Sequence, residues 1–141
     1  MTECCDSKMS SCNPPRKARC PVNGKEYSHV GVKTILHHIA RPWRKRLTKQ
    51  AYYYCTDPNC DVVYFGEDES VIPKSDLRTE VGIKETKPER AVCYCFGVSY
   101  RAAVNDKNAR VFVTAMTRQS LCSCETSNPS GRCCLKEFPK Q

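Results

Sequence analysis

No stretch of this 141-residue sequence approaches the roughly 18 consecutive apolar residues needed to cross a bilayer. Its start, Met1-Thr-Glu-Cys-Cys-Asp-Ser-Lys, is polar throughout and has no apolar core of a secretion signal, which runs about 7–15 residues. The expectation is a cytoplasmic protein with no membrane insertion. Glycine-rich phosphate loops, paired catalytic carboxylates and nucleophile-elbow turns are also missing. That excludes the common enzyme classes and leaves at most an electron-transfer or metal-reducing activity. Histidine is scarce too: three histidines against twelve cysteines make any Cys–His pairing uninformative as a catalytic signal.

What the sequence has in abundance is cysteine. Twelve in 141 residues approaches the density at which cysteine chemistry replaces part of a hydrophobic core. In a reducing compartment clustered thiols bind metal or do redox work instead of forming disulfides. The net charge of +8, from 23 basic and 15 acidic residues, fits this reading. Each ligating thiolate adds a negative charge that the formal count omits, so surplus lysine and arginine balance anionic centres.

The chain divides into three parts. Residues 1–19 are a polar tail with Cys4, Cys5 and Cys12 and a Pro14-Pro15 break, expected to be flexible, with its thiols as a candidate soft-metal capture site. Residues 20–90 form a first unit and connecting segment. Val32, Ile35, Leu36 and Ile39 have the spacing of an amphipathic helix, which Arg41-Pro42 should end. Ala51–Cys55 and Asp61–Gly66 are two β-rich runs around the turn residues Thr56-Asp57-Pro58-Asn59, which predicts a hairpin. Leu77–Ile83 could add a strand. Residues 91–141 form a second unit, with helices predicted at about 99–104, capped by Ser99, and at about 107–119, with Ala109, Val113 and Met116 on one face. The fold class expected is α+β: a zinc-binding hairpin and helix packed with a helical unit that holds a 2Fe–2S cluster.

Cys20 lies in a tight turn closed by Gly24, and Cys55-x4-Cys60 brackets the hairpin loop. Structural zinc takes four tetrahedral ligands delivered from such turns. The position where a second knuckle cysteine would stand is Asn23, a poor ligand, so the fourth donor must come from elsewhere. Asp57, inside the loop, is best placed; Asp61, His29, His37 and His38 are alternatives. His37 and His38 are neighbours in a helix and point about a hundred degrees apart, so both cannot face one metal.

The second unit offers Cys93-x-Cys95, Cys122-x-Cys124 and Cys133-Cys134. A 2Fe–2S cluster needs two thiolates per iron. Six candidates stand for four places, and one of the adjacent pair Cys133 and Cys134 should face away.

The run Cys93-Tyr-Cys95-Phe-Gly97, with Cys122-Ser-Cys124-Glu125 and Asn128-Pro129-Ser130-Gly131-Arg132-Cys133-Cys134, resembles the N-terminal metal domain of CopZ-type copper chaperones. Tyr53-Tyr54-Cys55 and Cys60-Asp61-Val62-Val63-Tyr64-Phe65 resemble the same family's zinc half, so the likeness spans about residues 19–138. The Cys-x-Cys opening is also similar to bacterioferritin-associated ferredoxin, a small helical 2Fe–2S domain. The resemblance implies Cys93, Cys95, Cys124 and Cys134 as cluster ligands and Cys20, Cys55, Asp57 and Cys60 as zinc ligands. The choice of Cys124 and Cys134 over Cys122 and Cys133 comes from the family likeness alone. The Met-x-Cys-x-x-Cys copper loop of two-domain family members is missing here, so the expectation is a stand-alone form.

The function implied is a metallochaperone that handles copper, binding Cu(I) transiently, with the cluster supplying an electron to reduce Cu(II). A small ferredoxin-like electron carrier is the alternative. A zinc-dependent nucleic-acid binder using Arg41–Lys49 is the third reading. The expected partners are a copper transporter or copper-binding protein and a redox partner; nucleic acid is not expected.

Overall fold

The computed structural model describes residues 15–139, so the tail cysteines Cys4, Cys5 and Cys12 lie outside the described residues. Strands β1 (Lys17–Arg19), β2 (Glu26–Val30), β3 (Tyr52–Tyr54), β4 (Val62–Gly66) and β5 (Val71–Pro73) form one sheet in sequence order. Every neighbouring pair is antiparallel. The expected hairpin is its centre, β3 against β4, with Tyr53 opposite Phe65 and Tyr54 opposite Tyr64. The sheet begins at Lys17, inside the segment expected to be tail, because the polar β1 is an edge strand with no apolar pattern to announce it.

Both faces of the central strands are buried. Tyr52 and Tyr54 join Val30, Ile35, Ile39 and Tyr64 on one side. Tyr53 stacks on Phe65 on the other, with ring centroids 5.5 Å apart, next to Cys20, Cys55 and Cys60. Three consecutive tyrosines therefore fit a strand covered on both sides, where β-branched and aromatic residues run without polar alternation.

Helix α1 (Val32–His38) follows β2 over the predicted span, but only half of the predicted apolar face is inward: Thr34, Ile35 and His38 are buried, whereas Val32 and Leu36 are exposed. Ile35 and Ile39 are fully buried. The helix stops before Arg41-Pro42, because Ile39 is already extended and bridges Leu77. That bridge is the whole of the strand expected over Leu77–Ile83. The segment instead ends in a 3-10 turn, Gly82–Lys84.

The second unit is a two-stranded ribbon, β6 (Ala91–Cys93) and β7 (Val98–Ser99), followed by α2 (Tyr100–Asn105), α3 (Lys107–Arg118) and the single turn α4 (Cys124–Ser127). The Ser99 hydroxyl caps α2 by accepting the Ala102 N–H at 3.1 Å, and Asp106 caps α3 through the Asn108 N–H at 3.0 Å. Val113, with Ala109 packed beside it, turns the predicted face of α3 onto Cys93, Cys124 and Cys134.

The two units dock through the loop after α4. Buried Asn128 folds it by accepting the Ser130 N–H and hydroxyl, both at 2.9 Å. The Tyr64 hydroxyl donates to the Pro129 carbonyl at 2.6 Å, and Thr34 on α1 donates to the Glu125 carbonyl at 2.6 Å. Arg132 reaches back to the His29 carbonyl at 2.8 Å.

Candidate metal centres

Cys20 sits at the corner of a turn in which the Gly24 N–H returns to the Cys20 carbonyl at 2.8 Å. Gly24 adopts φ +75°, a conformation glycine takes without strain. Cys55 leaves the end of β3, and Cys60 closes the next turn by donating its N–H to the Asp57 carbonyl at 3.1 Å. These two turns bring the Cys20, Cys55 and Cys60 sulfurs within 4.8 Å of one another, and all three residues are buried. Among the described residues this is the one trio of metal-ligating atoms that converges so closely. Three buried thiols meeting at one point fit a tetrahedral soft-metal site, since zinc binds thiolate at about 2.3 Å.

Asp57 stands beside this trio without closing onto it. Its Oδ2 lies 3.4 Å from the Asn23 Nδ2, which lies 3.4 Å from the Cys55 sulfur. Its Oδ1 accepts the Asn59 N–H at 2.9 Å, the self-bonded turn that such loops favour. Lys25 approaches Oδ2 at 3.7 Å. The other candidates for a fourth ligand are occupied elsewhere. His37 bonds the Lys33 carbonyl, His38 is buried against Thr79, His29 packs edge-on to Tyr53, and Asp61 is exposed.

One residue at this site carried no signal in the sequence. Lys84, from the hydrophilic connecting segment, is 4% exposed. Its Nζ donates to the Asp57 carbonyl at 2.8 Å and the Cys60 carbonyl at 2.9 Å, and lies 3.7 Å from the Cys55 sulfur. An ammonium has three N–H donors, and here it meets three acceptors.

The second set of thiols lies across the molecule, where β6, α4 and the closing 3-10 turn (Cys134–Glu137) meet. Cys93, Cys124 and Cys134 are buried in one apolar cluster, and Cys95 is half-buried beside them. The Cys95 and Cys124 sulfurs are 3.5 Å apart, and Cys93 and Cys134 are buried in the same apolar cluster. The four thiols share one cluster. Hydrogen bonding from Cys134 and from the Phe96 and Cys95 backbone N–H groups pulls the Cys93 thiol down to about 6 against its burial. Burial lifts Cys124 to about 12, and donation to Cys93, reinforced by burial, raises Cys134 strongly. The Ser123 N–H supports the Cys95 sulfur at 3.1 Å.

Cys122 and Cys133 are only half-buried. Cys133 turns away from its neighbour and lines a 330 Å³ groove shared with Tyr27 and Tyr54. One of the adjacent pair thus faces outward.

Residues 17–78 match the zinc binding domain of CopZ type. The X-ray structure of the Archaeoglobus fulgidus CopZ N-terminal domain superposes with a TM-score of 0.67 at 32% identity, covering 87% of this chain and all of that one. The chain belongs to the CopZ family. The copper chaperone CopZ of Archaeoglobus fulgidus is 34% identical over 122 residues. This CopZ relative spans 57% of that protein's length, with 82% of its own chain aligned. The sheet and the thiol trio of this CopZ-type chain lie in the matched zinc binding segment, while the second thiol set falls beyond residue 78.

Proposed function

We propose that this chain is the redox-active metal module of a copper-handling chaperone. Cys20, Cys55 and Cys60 hold zinc, with Asp57 as the fourth donor after a rotation that releases its Asn23 contact. Cys93, Cys95, Cys124 and Cys134 would hold a 2Fe–2S cluster, whose one-electron chemistry would convert Cu(II) to Cu(I). The observation that carries this reading is the gathering of Cys93, Cys95, Cys124 and Cys134, four thiols from three separate segments, in one apolar cluster where the Cys95 and Cys124 sulfurs are 3.5 Å apart. The relative named a copper chaperone supports copper as the substrate.

The chain's own residues have definite tasks in this scheme. Val113 and Phe138 exclude water from the buried thiols. The Phe96 and Cys95 N–H groups at Cys93, and the Ser123 N–H at Cys95, stabilise thiolate charge and thereby set the potential. Cys95, the most exposed of the four, is the point where an electron leaves toward copper or arrives from a redox partner. Cu(I) passes to a copper transporter or copper-binding protein, with thiols of the tail, Cys4, Cys5 and Cys12, as the soft donors. The compartment is the cytoplasm.

Reduction of Cu(II) by dithionite-reduced, desalted protein, followed with a Cu(I)-specific chromophoric chelator, tests the scheme. About one Cu(I) per chain should form as the visible cluster bands return to their oxidised form. A reduced cluster that ignores Cu(II) but exchanges electrons with a flavin reductase would favour the plain electron carrier.

A further inference from the structure

The two thiol sites are joined by one short, rigid element that nothing in the zinc or copper chemistry requires. The 3-10 turn Gly82–Lys84 is stiffened by its own hydrogen bonds, Lys84 N–H to the Val81 carbonyl and Glu85 N–H to the Gly82 carbonyl, each at 3.0 Å. At one end Lys84 enters the zinc loop, donating to the carbonyls of Asp57 and Cys60 next to the Cys55 sulfur. At the other end the Gly82 N–H donates to the Tyr94 hydroxyl at 2.7 Å. Tyr94 lies between Cys93 and Cys95 in the chain. Gly82 also presses on β6 so closely that a Cβ there would stand 2.0 Å from the Ala91 carbonyl oxygen.

We propose that this turn couples the two sites, so that filling the zinc site orders the Cys93–Cys95 segment through Lys84, Gly82 and Tyr94. The proposal rests on the zinc reading above. A buried ammonium is tolerated only while its acceptors stay in place. Both carbonyl acceptors belong to the loop that Cys55 and Cys60 bracket, which zinc on those thiolates would hold closed. Three thiolates and a carboxylate around a divalent cation make a doubly negative centre, which the Lys84 cation partly balances. If the metal leaves and protons from solvent take its place on the sulfurs, the loop loses its bridge, the neutral thiols no longer attract Lys84, and the ammonium seeks water. The turn is too short and too tightly bonded to absorb that movement internally. With no free space between Gly82 and Ala91, the displacement passes to β6 and to the hydroxyl of Tyr94. Lys84 is thus a positioning residue that acts on the second site from inside the first.

Hydrogen exchange of the full chain, read by mass spectrometry with zinc bound and with zinc removed by chelator, tests this without any iron present. In the wild-type chain zinc should slow exchange over residues 91–96 by about tenfold or more, the scale of ordinary coupling between sites. In Lys84→Met, and independently in Tyr94→Phe, the zinc effect on 91–96 should shrink below about twofold while zinc still protects β4. Equal protection of 91–96 in both variants, or none in the wild type, would overturn the coupling. If Lys84→Met fails to retain zinc, Tyr94→Phe decides alone. Loss of protection in α3 as large as that in 91–96 would mean general unfolding and would also overturn the route. Failure of the wild type to bind zinc, seen by metal analysis, would instead overturn the zinc site and the coupling with it.

Discussion

The Tyr64 hydroxyl and the Pro129 carbonyl, 65 residues apart in sequence, meet in a buried hydrogen bond of 2.6 Å. This contact fastens the sheet of the zinc unit to the loop that leads to Cys134. Removing the hydroxyl strands a buried carbonyl. Tyr64→Phe should therefore cost about 1–3 kcal/mol of stability, measured by urea unfolding of the metal-loaded protein. Metal content of the folded protein should stay at the wild-type level, since no ligand is touched.

Gly131 adopts φ +72°, and a Cβ there would stand 2.8 Å from the Thr34 hydroxyl oxygen. Thr34 is the residue that ties α1 to the Glu125 carbonyl. Gly131→Ala adds left-handed strain and pushes on that tie, so a loss of about 1–3 kcal/mol is expected. Gly131→Asn, which tolerates the left-handed region better, should recover part of the backbone cost in the same unfolding assay.

The adjacent cysteines should behave oppositely. Cys134 is 1% exposed and buried in the cluster that holds Cys93, whereas Cys133 lines a groove elsewhere. Cys134→Ser should abolish the visible cluster bands, and Cys133→Ser should leave them intact. Serine at Cys93 should likewise remove iron and keep zinc, and serine at Cys60 should remove zinc.

Burial raises the Glu137 carboxyl from its ordinary 4.5 to about 6. The fold therefore favours the protonated acid. Its penalty is absent below about pH 4.5 and grows as pH rises toward about 6, where it levels off. Glu137→Gln should stabilise the protein at pH 7.5 by about 1 kcal/mol, part of the full shift being screened by solvent at this half-buried site. The gain should shrink at pH 5.5, as thermal unfolding at the two pH values will show.

Much of this arrangement was legible in the residues. Amphipathic spacing placed α1 and α3, Ser99 marked the start of α2, and the turn residues between two β-rich runs located β3 and β4. The cysteine spacing picked out the trio Cys20, Cys55 and Cys60 that the fold brings together. What escaped were the short and polar elements. β1 is an edge strand of Lys, Ala and Arg, and its partners lie in β2, so only tertiary pairing makes it a strand. Leu77–Ile83 has strand-like residues but only one bridge, because the chain must turn there to deliver Lys84. Lys84 itself was invisible: a lysine among charged neighbours is ordinarily solvated, and its burial depends on carbonyls that the loop 55–60 supplies from far away. Asn23 was dismissed as a zinc ligand, yet its amide is the contact between Cys55 and Asp57.

The most direct test of the whole account is metal analysis with a visible spectrum of protein purified without oxygen. The protein should be brown and carry about two irons and one zinc per chain. A colourless, folded, iron-free protein whose sulfurs at positions 93, 95, 124 and 134 are joined as cystines would rule out a cluster at these four thiols.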